Sequence, residues 1–190
     1  MATTSSTRLE LGTPAPEFAL PDTEGRIVSL ADFGSAPALL VMFLCNHCPF
    51  VKHIQDRLSS LCRAFQERGV AVVAISSNDA ERYPEDSPAR MREEKQRVGY
   101  SFPYLYDQSQ AVAKAYRAEC TPELYLFDRE RRLVYCGQFD SSRPSRPTPV
   151  TGEDLAAAVD ALLAGKPVSP EQKPAVGCSI KWKPGNEPAV

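Results

Sequence analysis

Cys45 and Cys48, with Asn46 and His47 between them, are the residues whose types and spacing point most directly to chemistry. Two thiols in a Cys-x-x-Cys can close into a disulfide, and a thiol that ionises near neutral pH attacks other disulfides. A continuous apolar run of strand length, Leu39–Leu44, precedes the pair. After it the period becomes helical, with Phe50, Val51, Ile54, Leu58, Leu61, Cys62 and Phe65 on one stripe. The pair therefore stands where a buried strand gives way to the first turn of a helix, where unpaired amides and the helix dipole stabilise an anion. With Cys45 as the N-cap, Pro49 falls among the first four helical residues, whose N–H groups have no intrahelical partner. A thiol so placed ionises in the range of about 3.5–7.5, and Cys45 is the expected thiolate.

In this reading Cys45 attacks a substrate disulfide and Cys48 resolves the mixed disulfide. His47, when protonated, stabilises the thiolate and makes the couple more oxidising. Two other readings stay open: small buried cysteines without chemistry, and half of a zinc site. A second Cys-x-x-Cys or a His-x-x-x-His that would complete four ligands is missing from the sequence.

The elements that must position the pair can be read around it. The chain has 190 residues and a net charge of −2, which suits one domain with decorations. Its basic residues are scattered, so nucleic acid is not an expected partner. No stretch approaches the roughly 18 apolar residues of a membrane span, so no membrane partner is expected. Residues 1–8 lack the apolar core of a secretory signal, and the expectation is a cytoplasmic protein, where six cysteines point to redox work or metal rather than to staples.

Residues 1–10 read as a mobile tail, 11–166 as the domain and 167–190 as a Pro-rich C-terminal tail. Phe18–Leu20 and Arg26–Leu30 form a hairpin across Pro21–Gly25. Ala38–Leu44 and Val70–Ser76 are strands covered on both faces, joined by a helix that runs to Arg68 and stops at Gly69. That is a right-handed βαβ unit. Asn78–Ser87 is a polar loop, Pro88–Val98 a helix, Phe102–Tyr106 a strand and Ser109–Arg117 a short helix. Leu124–Phe127 and Leu133–Phe139 make an antiparallel hairpin, and Leu155–Leu163 is the last helix, capped from Thr151.

This order, with Cys-x-x-Cys after the first long strand, resembles the thioredoxin fold. The opening Gly12-x-x-Ala15-Pro16-x-Phe18-x-Leu20-x-Asp22 resembles the redoxin and AhpC/TSA branch. Cys45-Asn-His-Cys48-Pro49, Tyr83-Pro-Glu-Asp-Ser-Pro88, Cys120-Thr-Pro122, Gly137-Gln-Phe-Asp140-x-Ser142-Arg143-Pro144 and Gly177-Cys178 together are similar to the peroxiredoxin-like thioredoxin-fold group. The resemblance covers roughly residues 10–184. It implies a thioredoxin-like α/β fold: a central mixed sheet flanked by helices, with an N-terminal hairpin extension and an extended C-terminal tail. It also implies a thiol–disulfide oxidoreductase without a cofactor, acting on a protein or small-molecule disulfide and served by a thiol electron donor.

By the same resemblance Pro122 is the cis-proline that faces the Cys-x-x-Cys, and Thr121 offers backbone groups to an extended substrate. The peroxiredoxin branch has its reactive cysteine at the position of Cys48, a threonine three residues earlier and a proline further upstream. Here Cys45 and Val41 stand in those two places. An antioxidant thiol peroxidase is therefore the second reading. A protein holding copper or zinc through Cys45 and Cys48 with His47, His53 or Cys120 is the third. Cys120 and Cys178 are candidate auxiliary thiols. Arg143 is a candidate anchor for an anion or a thiolate. Cys62 and Cys136 read as core packing, and His53 as cover for a helix face. Tyr83–Asp86 lies beyond a strand's carboxyl end, the usual place for ligands in α/β sheets, although a solvated turn fits it as well.

Overall fold

A computed structural model describes residues 3–6 and 9–188. Among the described residues, four α-helices and ten strands follow in chain order. The first strands are β1 (Thr3–Ser5), β2 (Ala19–Pro21), β3 (Ile27–Ser29) and β4 (Ala38–Phe43). Helix α1 (Pro49–Glu67), β5 (Val70–Ser76), α2 (Pro88–Val98), β6 (Tyr104–Tyr106) and α3 (Ala111–Ala115) come next. The chain continues through β7 (Cys120–Thr121), β8 (Glu123–Phe127), β9 (Leu133–Gly137), α4 (Glu153–Leu163) and β10 (Val176–Ser179).

The central sheet has the order β6-β5-β4-β8-β9. Strands β4, β5 and β6 run parallel, and β8 and β9 join antiparallel. This is the thioredoxin-like arrangement. Its middle strand, β4, is apolar on both sides because both faces are covered. Leu40, Met42 and Leu44 face a core shared with Val51, Ile54, Leu58, Cys62 and Phe65 of α1. Leu39, Val41 and Phe43 face a second core built from the N-terminal hairpin, α3 and Tyr125. A strand with this alternation and this double cover has one register, so the chain position of Cys45 just past its end is fixed.

Gly69, at φ +89°, ends α1 in the left-handed region and sends the chain directly into β5. The hairpin β2–β3 forms as expected and is tied to β6 through a bridge between Asp22 and Leu105. Its turn is held by Asp22, whose carboxylate accepts from the Glu24 and Arg26 amides and from the Arg26 guanidinium.

Two segments depart from the sequence reading. Thr3–Ser5, expected within a mobile tail, pairs antiparallel with β10. Strand β10 lies inside what reads as an extended tail, and it also pairs with β7, making a second sheet of order β1-β10-β7. Neither strand has a long apolar run to announce it, since both pair mainly through their backbones. At Gly177 the approach to β7 is so close that a Cβ would stand 2.0 Å from the Thr121 carbonyl oxygen. Only glycine fits there.

Candidate active site

Two loops meet at the carboxyl ends of the parallel strands β4 and β5: Leu44–Cys48 and Ser77–Ser87. A third element, the Thr121–Pro122 step, crosses above them with the expected cis bond. Cys45 and Cys48 are both free thiols and nearly or wholly buried, at 2% and 0% exposed. The Thr121 hydroxyl is 3.3 Å from Cys45 Sγ. Cys48, while it holds its proton, donates to the Thr121 carbonyl oxygen at 3.1 Å.

The helix begins one turn later than expected: Cys48, not Cys45, is the N-cap, and Pro49 is N1. The anion-stabilising end of the helix is thus offered to Cys48. The two thiols also act on each other's ionisation, each favouring the charge on Cys48 over Cys45. That effect lowers Cys48 to about 5, helped by Thr121, Cys178 and the Val51 amide, against the cost of burial. The same effect, with burial and the Asp86 charge, raises Cys45 well above the ordinary thiol range. The N-cap expected at Cys45 is thus found at Cys48, and the charges and burial around the pair favour the thiolate on Cys48.

Asp86 organises the loop side of the site. It is fully buried, and its Oδ1 accepts from the Asn46 backbone amide at 2.8 Å. Its Oδ2 accepts from the Asn78 side chain at 2.7 Å and stands 2.6 Å from His47 Nδ1. Burial alone would raise its pKa, but the His47 bond, the Asn78 bond and the His47 charge outweigh it and hold the carboxyl below its usual value. In return the Asp86 bond raises the His47 pKa against the opposing effect of partial burial. His47 stacks on Tyr83, centroids 5.6 Å apart and planes 6° from parallel, with Lys181 6.0 Å from the Tyr83 ring.

Asn46, which carried no signal in the sequence, donates to the Glu85 carbonyl at 2.8 Å and accepts from the Tyr104 hydroxyl at 3.1 Å. The Cys-x-x-Cys turn is thereby bolted to the Tyr83–Asp86 loop from three sides. Sequence reasoning missed Asp86, Asn78 and Tyr104. The one signal available was the place of Tyr83–Asp86 beyond the end of a parallel strand, and Asp86 of that loop does meet the Cys-x-x-Cys turn.

The auxiliary candidates separate. Cys178 sits across from Thr121 in the β10–β7 register, on the residue whose carbonyl accepts from Cys48. Cys120, one residue from Thr121, turns the other way, its sulfur 3.9 Å from Glu123 Oε2. Arg143 does not reach the thiols; it donates to the Asp140 and Ser142 carbonyls and to Gln138 Oε1. It lines a small groove with Phe50, His53 and Pro122 on the far side of the helix start. His53 caps its own helix face by a 3.1 Å contact with Ser142 Oγ. Cys62 and Cys136 are buried in the two cores.

The backbone edge of Thr121 that the resemblance offers to an extended substrate is filled by β10. On the opposite side, an open cleft of about 430 Å³ is lined by Asn46, His47, Lys52, Glu85, Arg90 and Glu93, among others. A donor set of Cys45, His47 and Asp86 lies within 4.8 Å. Its His and Asp are already bound to each other.

No described helix is long and apolar enough to cross a membrane. Among curated relatives, thiol-disulfide oxidoreductase ResA of Geobacillus thermodenitrificans is 25% identical over 130 residues, 68% of this chain and 70% of that one. A Mycobacterium tuberculosis relative that carries the peroxiredoxin name is 31% identical over 123 residues, 64% of this chain and 73% of that one. The crystal structure of an uncharacterized conserved protein from Geobacillus kaustophilus superposes with a TM-score of 0.95 at 54% identity, covering 97% of this chain and 98% of that one. The profile of the AhpC/TSA family matches residues 11–136, a span that holds the Cys-x-x-Cys turn, the Asp86 loop and the cis-proline. By sequence and by fold, the chain belongs to the AhpC/TSA family.

Proposed function

We propose that this protein is a thiol–disulfide oxidoreductase whose Cys45–Cys48 pair cycles between dithiol and disulfide. The observation that carries the reading is the pair itself: two thiols at a helix start, with the hydroxyl of Thr121 laid against one and its carbonyl against the other. Cys45 is the attacking sulfur, beside the Thr121 hydroxyl and next in the chain to the cleft residue Asn46. Its proton passes to the Cys48 thiolate, which acts as the adjacent base. Cys45 then attacks one sulfur of the substrate disulfide, and the other sulfur leaves as a thiolate. Cys48 gives up its proton, attacks Cys45 and expels the second substrate thiolate. The substrate gains two electrons, and a Cys45–Cys48 disulfide remains until a donor dithiol reverses the sequence.

His47 sets the poise of this couple. With its pKa raised by Asp86, its protonated form favours the thiolate and so the reduced form, which makes the couple more oxidising. Because β10 fills the strand edge at Thr121, the geometry favours a small disulfide entering from the His47 side, with Thr121 Oγ1 and Pro122 as its contacts. A reducing cytoplasm supplies the thiol donors that such a cycle needs.

The test is turnover of a small disulfide by wild type and two variants. Cys45→Ser abolishes turnover, and Cys48→Ser accumulates a mixed disulfide at Cys45 that mass spectrometry locates. Full activity in Cys45→Ser would overturn the assignment. Run with a hydroperoxide as oxidant, the same assay decides against the peroxidase reading if wild type turns over disulfide far faster than peroxide.

A further inference from the structure

Strand β10 reaches the site from the far end of the chain and takes a place beside Thr121, the residue that both active-site sulfurs face. Cys178 is opposite Thr121 in the β10–β7 register, and the Thr121 carbonyl is the group 3.1 Å from Cys48 Sγ. Gly177 is what lets the strand lie so close. Cys178 is 3% exposed and lies in the same buried cluster as Cys45 and Cys48. The three thiols therefore converge on Thr121: Cys45 at its hydroxyl, Cys48 at its carbonyl and Cys178 across the strand pair.

We propose that Cys178 is a third redox thiol of this centre, exchanging with the Cys45–Cys48 disulfide to give a Cys48–Cys178 disulfide and a free Cys45. The inference rests on the dithiol cycle proposed above, which supplies the oxidised pair. In the exchange Cys178 loses its proton, its sulfur attacks Cys48 Sγ, and the Cys45–Cys48 bond breaks with Cys45 leaving as a thiolate. One disulfide is made and one is broken, so no further oxidant is needed. In the reduced protein burial, and then the neighbouring Cys48, push the Cys178 thiol up to about 12, while Lys181 lowers it. Once Cys48 is in a disulfide its share of that rise disappears, so Cys178 becomes easier to ionise when there is a disulfide to attack. The consequence is that one oxidation event leaves Cys45 reduced and free for a second substrate while the first oxidising equivalent is stored behind it.

The test is a disulfide map of the full chain, equilibrated with a small disulfide, acid-quenched, unfolded and alkylated. In oxidised wild type, Cys48–Cys178 peptides appear beside Cys45–Cys48 peptides, and a fraction of Cys45 carries the alkyl label. In Cys178→Ser the Cys45–Cys48 peptide remains and the label on Cys45 is lost. A wild-type map with Cys45–Cys48 alone and Cys178 labelled throughout would overturn the third-thiol role and leave the dithiol cycle standing. A map with neither pair would overturn both. The wild-type map decides without relying on the fold of any variant.

Discussion

Asp86 carries more of this site than any residue except the two cysteines, because one buried carboxylate meets three demands at once. It satisfies the Asn46 amide, orients Asn78 and charges His47. Replacing it with Ala leaves those groups facing an empty pocket, and a loss of about 3 kcal/mol follows in urea unfolding. Asp86→Asn is gentler, keeping the shape and removing the charge. The His47 pKa then falls toward the ordinary value of about 6.5, which a histidine NMR titration reads directly.

The sign of the pH dependence follows from the two shifts. The His47 contribution is complete below its ordinary pKa and fades as pH rises through the raised one. The Asp86 contribution is complete above its ordinary pKa and fades as pH falls through the lowered one. Unfolding midpoints of wild type and Asp86→Asn therefore differ most between about pH 4 and pH 6.5. At this scale the sequence was half legible. Cys45, His47 and Cys48 announce themselves by type and spacing. Asp86 does not, because a carboxylate in a polar loop looks the same whether it is solvated or buried against a partner 40 residues away.

Among the elements, those with a period or a cap were legible and those held by backbone pairing alone were not. Val70–Ser76 and Pro88–Val98 form over the residues that their apolar run and N-terminal proline mark out. Strands β7 and β10 have two and four residues, too few for alternation to show. Their meeting depends instead on Gly177, whose missing side chain the sequence displays without explaining. Gly177→Ala forces β10 away from Thr121 and costs about 1–3 kcal/mol. The informative readout is the alkylation rate of Cys178 and Cys48 in the reduced protein, which rises as the strand opens. An unchanged rate would mean that β10 does not guard the thiols. The start of α1 shows the other limit of sequence reading. Both Cys45 and Cys48 suit an N-cap ahead of Pro49, and the tertiary contacts of Asn46 with the Asp86 loop choose the later start.

Across the whole molecule, the chemistry sits at the start of α1 and the core that stabilises the fold lies further along it. Leu58 is fully buried in the core beneath the central sheet, well along the helix from the thiols. Leu58→Ala should cost about 3 kcal/mol and lower the melting temperature by about 6–12 °C, with turnover at low temperature little changed. A variant at Asp86 combines both losses, since there the fold and the site share their bonds. The pairing of β1 with β10 and of β10 with β7 has a consequence in time as well as in space. On a ribosome adding about 5–20 residues per second, Cys178 is made many seconds after Cys48, so the dithiol emerges before the strand that covers it exists. During that interval the nascent chain presents two uncovered thiols to every disulfide nearby, and β10, once made, closes over whatever state it finds.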